Sequence, residues 1–204
     1  MTYGLAIHTS SPELGFALDN FHGDQRAAAW NLGRESSTQM HDRLASFLPP
    51  QMWTDLAFVT VAIGPGGFTG TRLGVVLGRT LAQQLNIPLF GISSLMAIAD
   101  AQMAELDQIA IDMPAQRGAI YAAIYCRQAP AQYHSIFPDQ VLQPDDWAQQ
   151  LAQRAPLPKI TAIAEQGRYA PNLLAIAHAQ WQAGHQPNWS TVLPYYGQHP
   201  VVQN

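Results

Sequence analysis

The eleven residues from Gly64 to Gly74 read GPGGFTGTRLG and follow an apolar run at 58–63. A glycine-rich turn between a strand and a helix is where many enzymes cradle phosphate, because backbone N–H groups there converge on an anion. A Walker-type loop also needs a lysine after its second glycine to bring positive charge to the phosphates. Here Thr69 stands five residues after Gly64, Thr71 five after Gly66, and the chain's only lysine is Lys159. The dinucleotide fingerprint G-x-G-x-x-G fails as well, since Thr69 stands where the third glycine belongs. Neither phosphate motif is present.

Other chemistries find equally few groups. The histidines, at 8, 22, 41, 134, 178, 185 and 199, form no H-x-x-x-H or H-E-x-x-H pair, so neither a helix-borne iron or zinc site nor a metallopeptidase is expected. G-x-S-x-G is absent. Cys126, the only cysteine, lies in an apolar strand candidate, where a thiol is usually inert packing, and by itself it excludes an internal disulfide. Asp112 is a carboxylate candidate near a strand end, although Met113-Pro114 follows it where an active aspartate–arginine pattern would differ. His8, in the turn sequence Ile7-His8-Thr9-Ser10, is a poor magnesium ligand because hard cations prefer oxygen; it is expected to be a hydrogen-bonded turn residue.

The elements that must carry these residues alternate between strand and helix. Strands are predicted at 3–7, 14–18 and 26–32, then a helix at 36–48 with Ser36 and Gln39 as a capping box. A strand at 58–63 and a helix at 69–85 flank the glycine turn, and a further helix follows Ser93 or Ser94 to about Met103. The second half predicts strands at 108–111, 119–126, 133–137 and 160–164, and helices at 145–153 and 171–181. Two successive blocks of this kind imply an internally duplicated α/β protein with two lobes, 1–104 and 105–184. An irregular tail, 185–204, completes the chain.

Composition narrows the partners. The 204 residues are 48% hydrophobic and 12% charged, with a net charge of −4, so the chain has no basic footprint for gripping nucleic acid alone. No apolar run reaches the ~18 residues of a membrane span, and the start lacks a basic region followed by a long apolar segment. A cytoplasmic protein is expected.

Gly70, Gly74, Gly78 and Ala82 recur every four residues and lay a ridge without side chains along one helix face. Each such glycine costs roughly 1 kcal/mol relative to alanine, a loss tolerated where another backbone approaches closely. That neighbour is either the chain's own sheet or a helix of a partner.

The run Gly64 to Gly74 resembles the G-P-G-S-F-T-G-L-R-I-G signature of the TsaB (YeaZ) family. Pro88-Leu89-Phe90-Gly91-Ile92-Ser93-Ser94-Leu95 is similar to a second family segment, with weaker likeness at Arg117-Gly118-Ala119-Ile120-Tyr121 and Pro194-Tyr195-Tyr196. The resemblance implies the duplicated actin-like ATPase fold (ASKHA, ribonuclease H-like). It also implies a non-catalytic subunit for threonylcarbamoyladenosine at position 37 of ANN-decoding transfer RNAs. Such a subunit binds and activates a TsaD-like transferase, with a TsaE-like ATPase joining them. ATP or ADP and metal are then expected on the partners, none on this chain, and tRNA is reached only through the complex.

The interface implied is Met40, Leu44, Phe47 and Leu48 with Phe68, Gly70, Arg72, Gly74, Val75, Gly78 and Arg79, a surface that could also form a homodimer. His8, Thr9, Ser10, Gly64 and Gly66 are the residues expected nearest any nucleotide. His8 departs from the I-D-T that the family commonly carries. The competing readings are an actin-fold phosphotransferase or M22-type peptidase in its own right, and a scaffold that senses nucleotide without turning it over.

Overall fold

The computed structural model describes residues 2–103 and 106–197. The expected lobe boundary at 104/105 and residues 198–204 of the expected tail lie outside the described residues. The first sheet contains β1 (Tyr3–His8), β2 (Glu13–Asp19), β3 (Gln25–Asn31), β4 (Leu56–Ala62) and β5 (Leu89–Ile92) in the order β3-β2-β1-β4-β5. β1, β2 and β3 form an antiparallel meander, while β1–β4 and β4–β5 are parallel. The second sheet contains β6 (Gln108–Pro114), β7 (Ile120–Ala129), β8 (Gln132–Leu142) and β9 (Lys159–Thr161) in the order β8-β7-β6-β9. Its β6–β9 pair is parallel and the rest antiparallel, so it repeats the first four strands of the other sheet.

Five helices cover the sheets: α1 (Ser36–Phe47), α2 (Phe68–Leu85), α3 (Ser94–Gln102), α4 (Pro144–Ala152) and α5 (Ala170–Gln182). Strand alternation explains the layering. Leu5 and Ile7 of β1 face Met40 and Leu44 of α1 and Val75 and Ala82 of α2, whereas Ala6 on the opposite face joins Leu173, Leu174 and Ala177 of α5. In the second sheet Ile109 and Ile111 face Leu95, Ile98 and Ala99 of α3, and Ala110 faces Trp147 of α4. Two helices are therefore exchanged. α3, which directly follows the first sheet, covers the second, and α5, which follows the second, covers the first. None of the helices among the described residues is long and apolar enough to cross a membrane.

Several sequence expectations change. The run 89–92 is a strand that the sequence reading passed over, because four residues give too short a pattern to separate from a loop. The Ser36–Gln39 capping box is absent: Glu35 occupies the cap position, Gln39 Nε2 donates to Glu35, and Ser36 Oγ is buried without a partner among the described residues. The described part of the tail, irregular apart from a short 3-10 turn at Trp189–Thr191, is anchored on the first sheet. Leu89 N donates to Pro187 O at 3.2 Å, Val192 is buried, and Tyr195 N donates to Ile63 O at 2.7 Å.

Candidate functional site

The glycine ridge turns inward. A Cβ on Gly70 would stand 2.1 Å from the carbonyl oxygen of Thr9, one on Gly74 2.1 Å from Thr9 Oγ1, and one on Gly78 2.4 Å from Val61 Cγ1. Thr9 fills the space this leaves and donates its hydroxyl to Gly70 O at 2.8 Å. The ridge therefore lets α2 lie against the β1–β2 turn and β4 of its own chain, which settles the choice left open by the sequence. Met40, Leu44, Leu48 and Val75 are closed into the same core of this chain.

The other expected interface residues divide. Phe47 is half-buried in an aromatic cluster with Phe16 and Trp30. Arg79 lies over the Trp189 ring of the tail at 5.6 Å. Phe68 is 44% exposed with its ring against Tyr196, and Arg72 is exposed. What α2 presents outward is a strip of Arg72, Val76 and Thr80, with Val76 54% exposed. These positions are spaced by four, so they stand above one another on the helix.

Between the sheets opens a cleft of about 880 Å³. Its walls are Ser10–Pro12 and Gly66–Phe68 from the first lobe, Met113–Arg117, Tyr121 and 162–164 from the second, and Tyr195 and Tyr196 from the tail. Gly67 N donates to Ser10 O at 2.7 Å and Ser10 Oγ shares a hydrogen bond with Ser94 Oγ at 2.7 Å, so the glycine turn is fastened to the first turn and to α3. Of the residues expected nearest a nucleotide, Ser10 and Gly66 line this cleft; His8, Thr9 and Gly64 do not. Gly64 sits under the tail, at a φ of 101°, where a Cβ would be 2.9 Å from Tyr195 O.

His8 is not a turn residue. It ends β1, is fully buried, and neither ring nitrogen has a hydrogen-bond partner among the described residues. Burial pushes its pKa from 6.5 down to about 3, so the imidazole is neutral across the physiological range. Asp112 lies within β6 and is consumed by structure: Trp147 Nε1 donates to it at 2.9 Å, Thr161 Oγ1 at 2.6 Å, and Lys159 Nζ lies 3.1 Å away. Cys126 is half-buried on β7. Among the described residues no three His, Cys, Asp or Glu side chains come together as a metal site would require.

A second polar cluster, which the sequence reading missed, ties the lobes together. The Asp139 carboxylate on β8 accepts from Tyr125 OH and from Ser93 Oγ, the residue that caps α3 by accepting from Leu95 N and Met96 N. Its backbone carbonyl accepts from Tyr195 OH at 2.7 Å. Burial raises the Asp139 carboxyl, with the Ser93 and Tyr125 hydroxyls opposing that shift. Tyr195 thus binds β4's end through its backbone and β8 through its hydroxyl. The only sequence signal for it was the short Pro194-Tyr195-Tyr196 segment.

Two sheets of matching topology, facing one another across a cleft and sharing a helical layer, define the duplicated actin-like ATPase fold. Two solved structures agree on that fold. One, described as an uncharacterized protein with similarity to peptidase YEAZ from Pseudomonas aeruginosa, superposes with a TM-score of 0.82 at 19% identity, covering 97% of this chain and 100% of that one. YeaZ from Pseudomonas aeruginosa gives 0.79 at 20% identity, covering 96% and 100%. The family model described as TsaD, tRNA N6-adenosine threonylcarbamoyltransferase, matches residues 51–190. The tRNA threonylcarbamoyladenosine biosynthesis protein TsaB of Bacillus subtilis is 33% identical over 157 residues, 74% of this chain and 66% of that protein. The TsaB protein of Escherichia coli is 30% identical over 94 residues, 45% of this chain and 41% of that protein. The matched stretches therefore span just under two thirds and about two fifths of those relatives. The chain belongs to the TsaB (YeaZ) family.

Proposed function

We propose that this chain is a non-catalytic subunit in the threonylcarbamoyladenosine modification of tRNA, where it binds and activates a TsaD-like transferase. The observation that carries the reading is His8. Actin-like phosphotransferases organise magnesium and phosphate with an aspartate at the end of the first strand, and this chain has there a sealed, neutral imidazole that offers no charge and does not line the interlobe cleft. The relatives in Bacillus subtilis and Escherichia coli, both threonylcarbamoyladenosine biosynthesis proteins, support the pathway, and the TsaD family match supports kinship with the transferase. ATP or ADP and metal reside on the partner subunits, a TsaE-like ATPase among them, and tRNA is contacted through the complex.

The surface assigned to the transferase is the outer side of α1 and α2, centred on Arg72, Val76 and Thr80. In isolation the same strip could meet its own copy in an isologous dimer. The test is tRNA modification in vitro with the TsaD-like subunit, its adenylate donor and this chain present or omitted, beside size-exclusion of the mixture. Val76→Glu is expected to abolish co-elution and modification while leaving the melting temperature within about 2 °C, as surface changes do. Unimpaired modification without this chain, or ATP turnover by this chain alone, would overturn the reading.

A further inference from the structure

We propose that the interlobe cleft binds a small monocarboxylate with an aromatic or apolar body, without a metal ion. This inference is independent of the docking surface proposed above.

The cleft's size falls within the roughly 300–1,000 Å³ of small-molecule sites. Its composition is selective. Among the described residues lining it, Arg117 is the only charged one, and no aspartate or glutamate is present. A polyphosphate arrives with a divalent cation, which needs carboxylate oxygens to hold it, and carries several charges that one guanidinium cannot balance. A single negative charge matches a single arginine, whose planar fork presents two parallel N–H groups to a carboxylate. The rest of the wall is uncharged: hydroxyl and amide groups of Ser10, Ser11, Thr71, Gln116 and Gln166 alternate with Phe68, Met113, Tyr121, Tyr195 and Tyr196, which supply surfaces for an organic body.

The backbone at Arg117 is fixed, and its guanidinium is left free to meet a ligand. Its φ of 57° puts a side-chain-bearing residue in the left-handed region, at a cost of about 1–2 kcal/mol that surrounding structure must offset. Hydrogen bonds from Ala115 N to Ala119 O at 2.8 Å and from Ala119 N to Gln116 O at 3.2 Å close the turn around it. The guanidinium makes no ion pair among the described residues and is exposed. The opposite wall is fixed by Tyr195, bonded to both lobes, so the cleft is preformed and a ligand would not need to open it.

The experiment is calorimetric titration of the full chain with 3-phenylpropionate, with its neutral amide and with magnesium ADP, beside chemical-shift mapping of the same mixtures. The acid is expected to bind with a Kd below about 1 mM, unchanged by chelator, and the amide at least roughly tenfold more weakly, the scale of one charge-assisted hydrogen bond. Shifts are expected at Tyr121, Tyr195 and Tyr196. Arg117→Gln is expected to weaken the acid by about the same factor and leave the amide unaffected. The acid–amide comparison uses the unaltered protein, so it stands even if the variant folds poorly. Equal binding of acid and amide, tighter binding of magnesium ADP, shifts confined elsewhere, or no heat up to about 10 mM would each overturn the proposal.

Discussion

Acidification is expected to destabilise this protein, and His8 supplies a component that can be isolated. The unfolded chain takes up a proton on that imidazole near 6.5, whereas burial holds the folded pKa at about 3. Because the folded value is the depressed one, the stability involved is intact above 6.5 and drains as pH falls from there towards 3. Linkage with these two values gives a loss of about 2.5 kcal/mol between about pH 7 and pH 4.5. For a chain of this size that corresponds to a melting temperature about 5–10 °C lower. Asp139, whose carboxyl pKa burial raises, acts in the opposite direction, since the penalty of burying its charge fades on protonation. The assay therefore compares the unaltered protein with His8→Leu by denaturant unfolding at both pH values. His8→Leu fills similar space and removes two unpartnered nitrogens, so it is expected to be at least as stable at neutral pH and to lack the 2.5 kcal/mol component (about that size by the linkage above). Parallel loss of stability in the two proteins, or an NMR titration placing the His8 pKa near 6.5, would refute the argument.

Further outcomes follow from the packing. Gly74→Leu is expected to destabilise the monomer by more than about 3 kcal/mol, read as a fall in thermal midpoint, because its Cβ would enter Thr9 on the first turn. Asp112→Ala is expected to cost about 2 kcal/mol in denaturant unfolding, since it leaves the buried Trp147 indole N–H without its acceptor and removes the bonds from Thr161 and Lys159. Ala131→Gly is expected to raise the melting temperature by about 2–4 °C, because Ala131 sits at a φ of 55° in the β7–β8 turn where only glycine avoids the left-handed penalty. Tyr195→Phe removes the hydroxyl bond to Asp139 O and is expected to loosen the lobes, seen as faster hydrogen exchange at the ends of β4 and β8.

The alternation of strand and helix was legible because burial imposes periods of two and 3.6 on long segments, and so was the doubling of the pattern. The glycine spacing of α2 was legible too, but not its direction. A ridge of missing side chains records that something lies close, and only the fold shows that the something is Thr9. His8 reads as a polar turn residue because sequence gives its charge type, not the depth of the strand it ends. Asp112 and Asp139 look alike on paper. One is saturated by an indole, a hydroxyl and an ammonium, the other by hydroxyls from two segments brought together only in the folded chain. The cleft's single charge was equally hidden, since its lining comes from both lobes and the tail.

The exchange of α3 and α5 sets a constraint on how the chain is made. The first sheet is complete in sequence at Ile92, yet the helix that seals its second face ends at Gln182. During synthesis at ~5–20 residues per second, Ala6, Phe58 and Phe90 remain uncovered for about 5–20 seconds. A truncated product ending between the lobes would expose that face permanently. It would be a substrate for chaperones and proteases rather than a working half-protein.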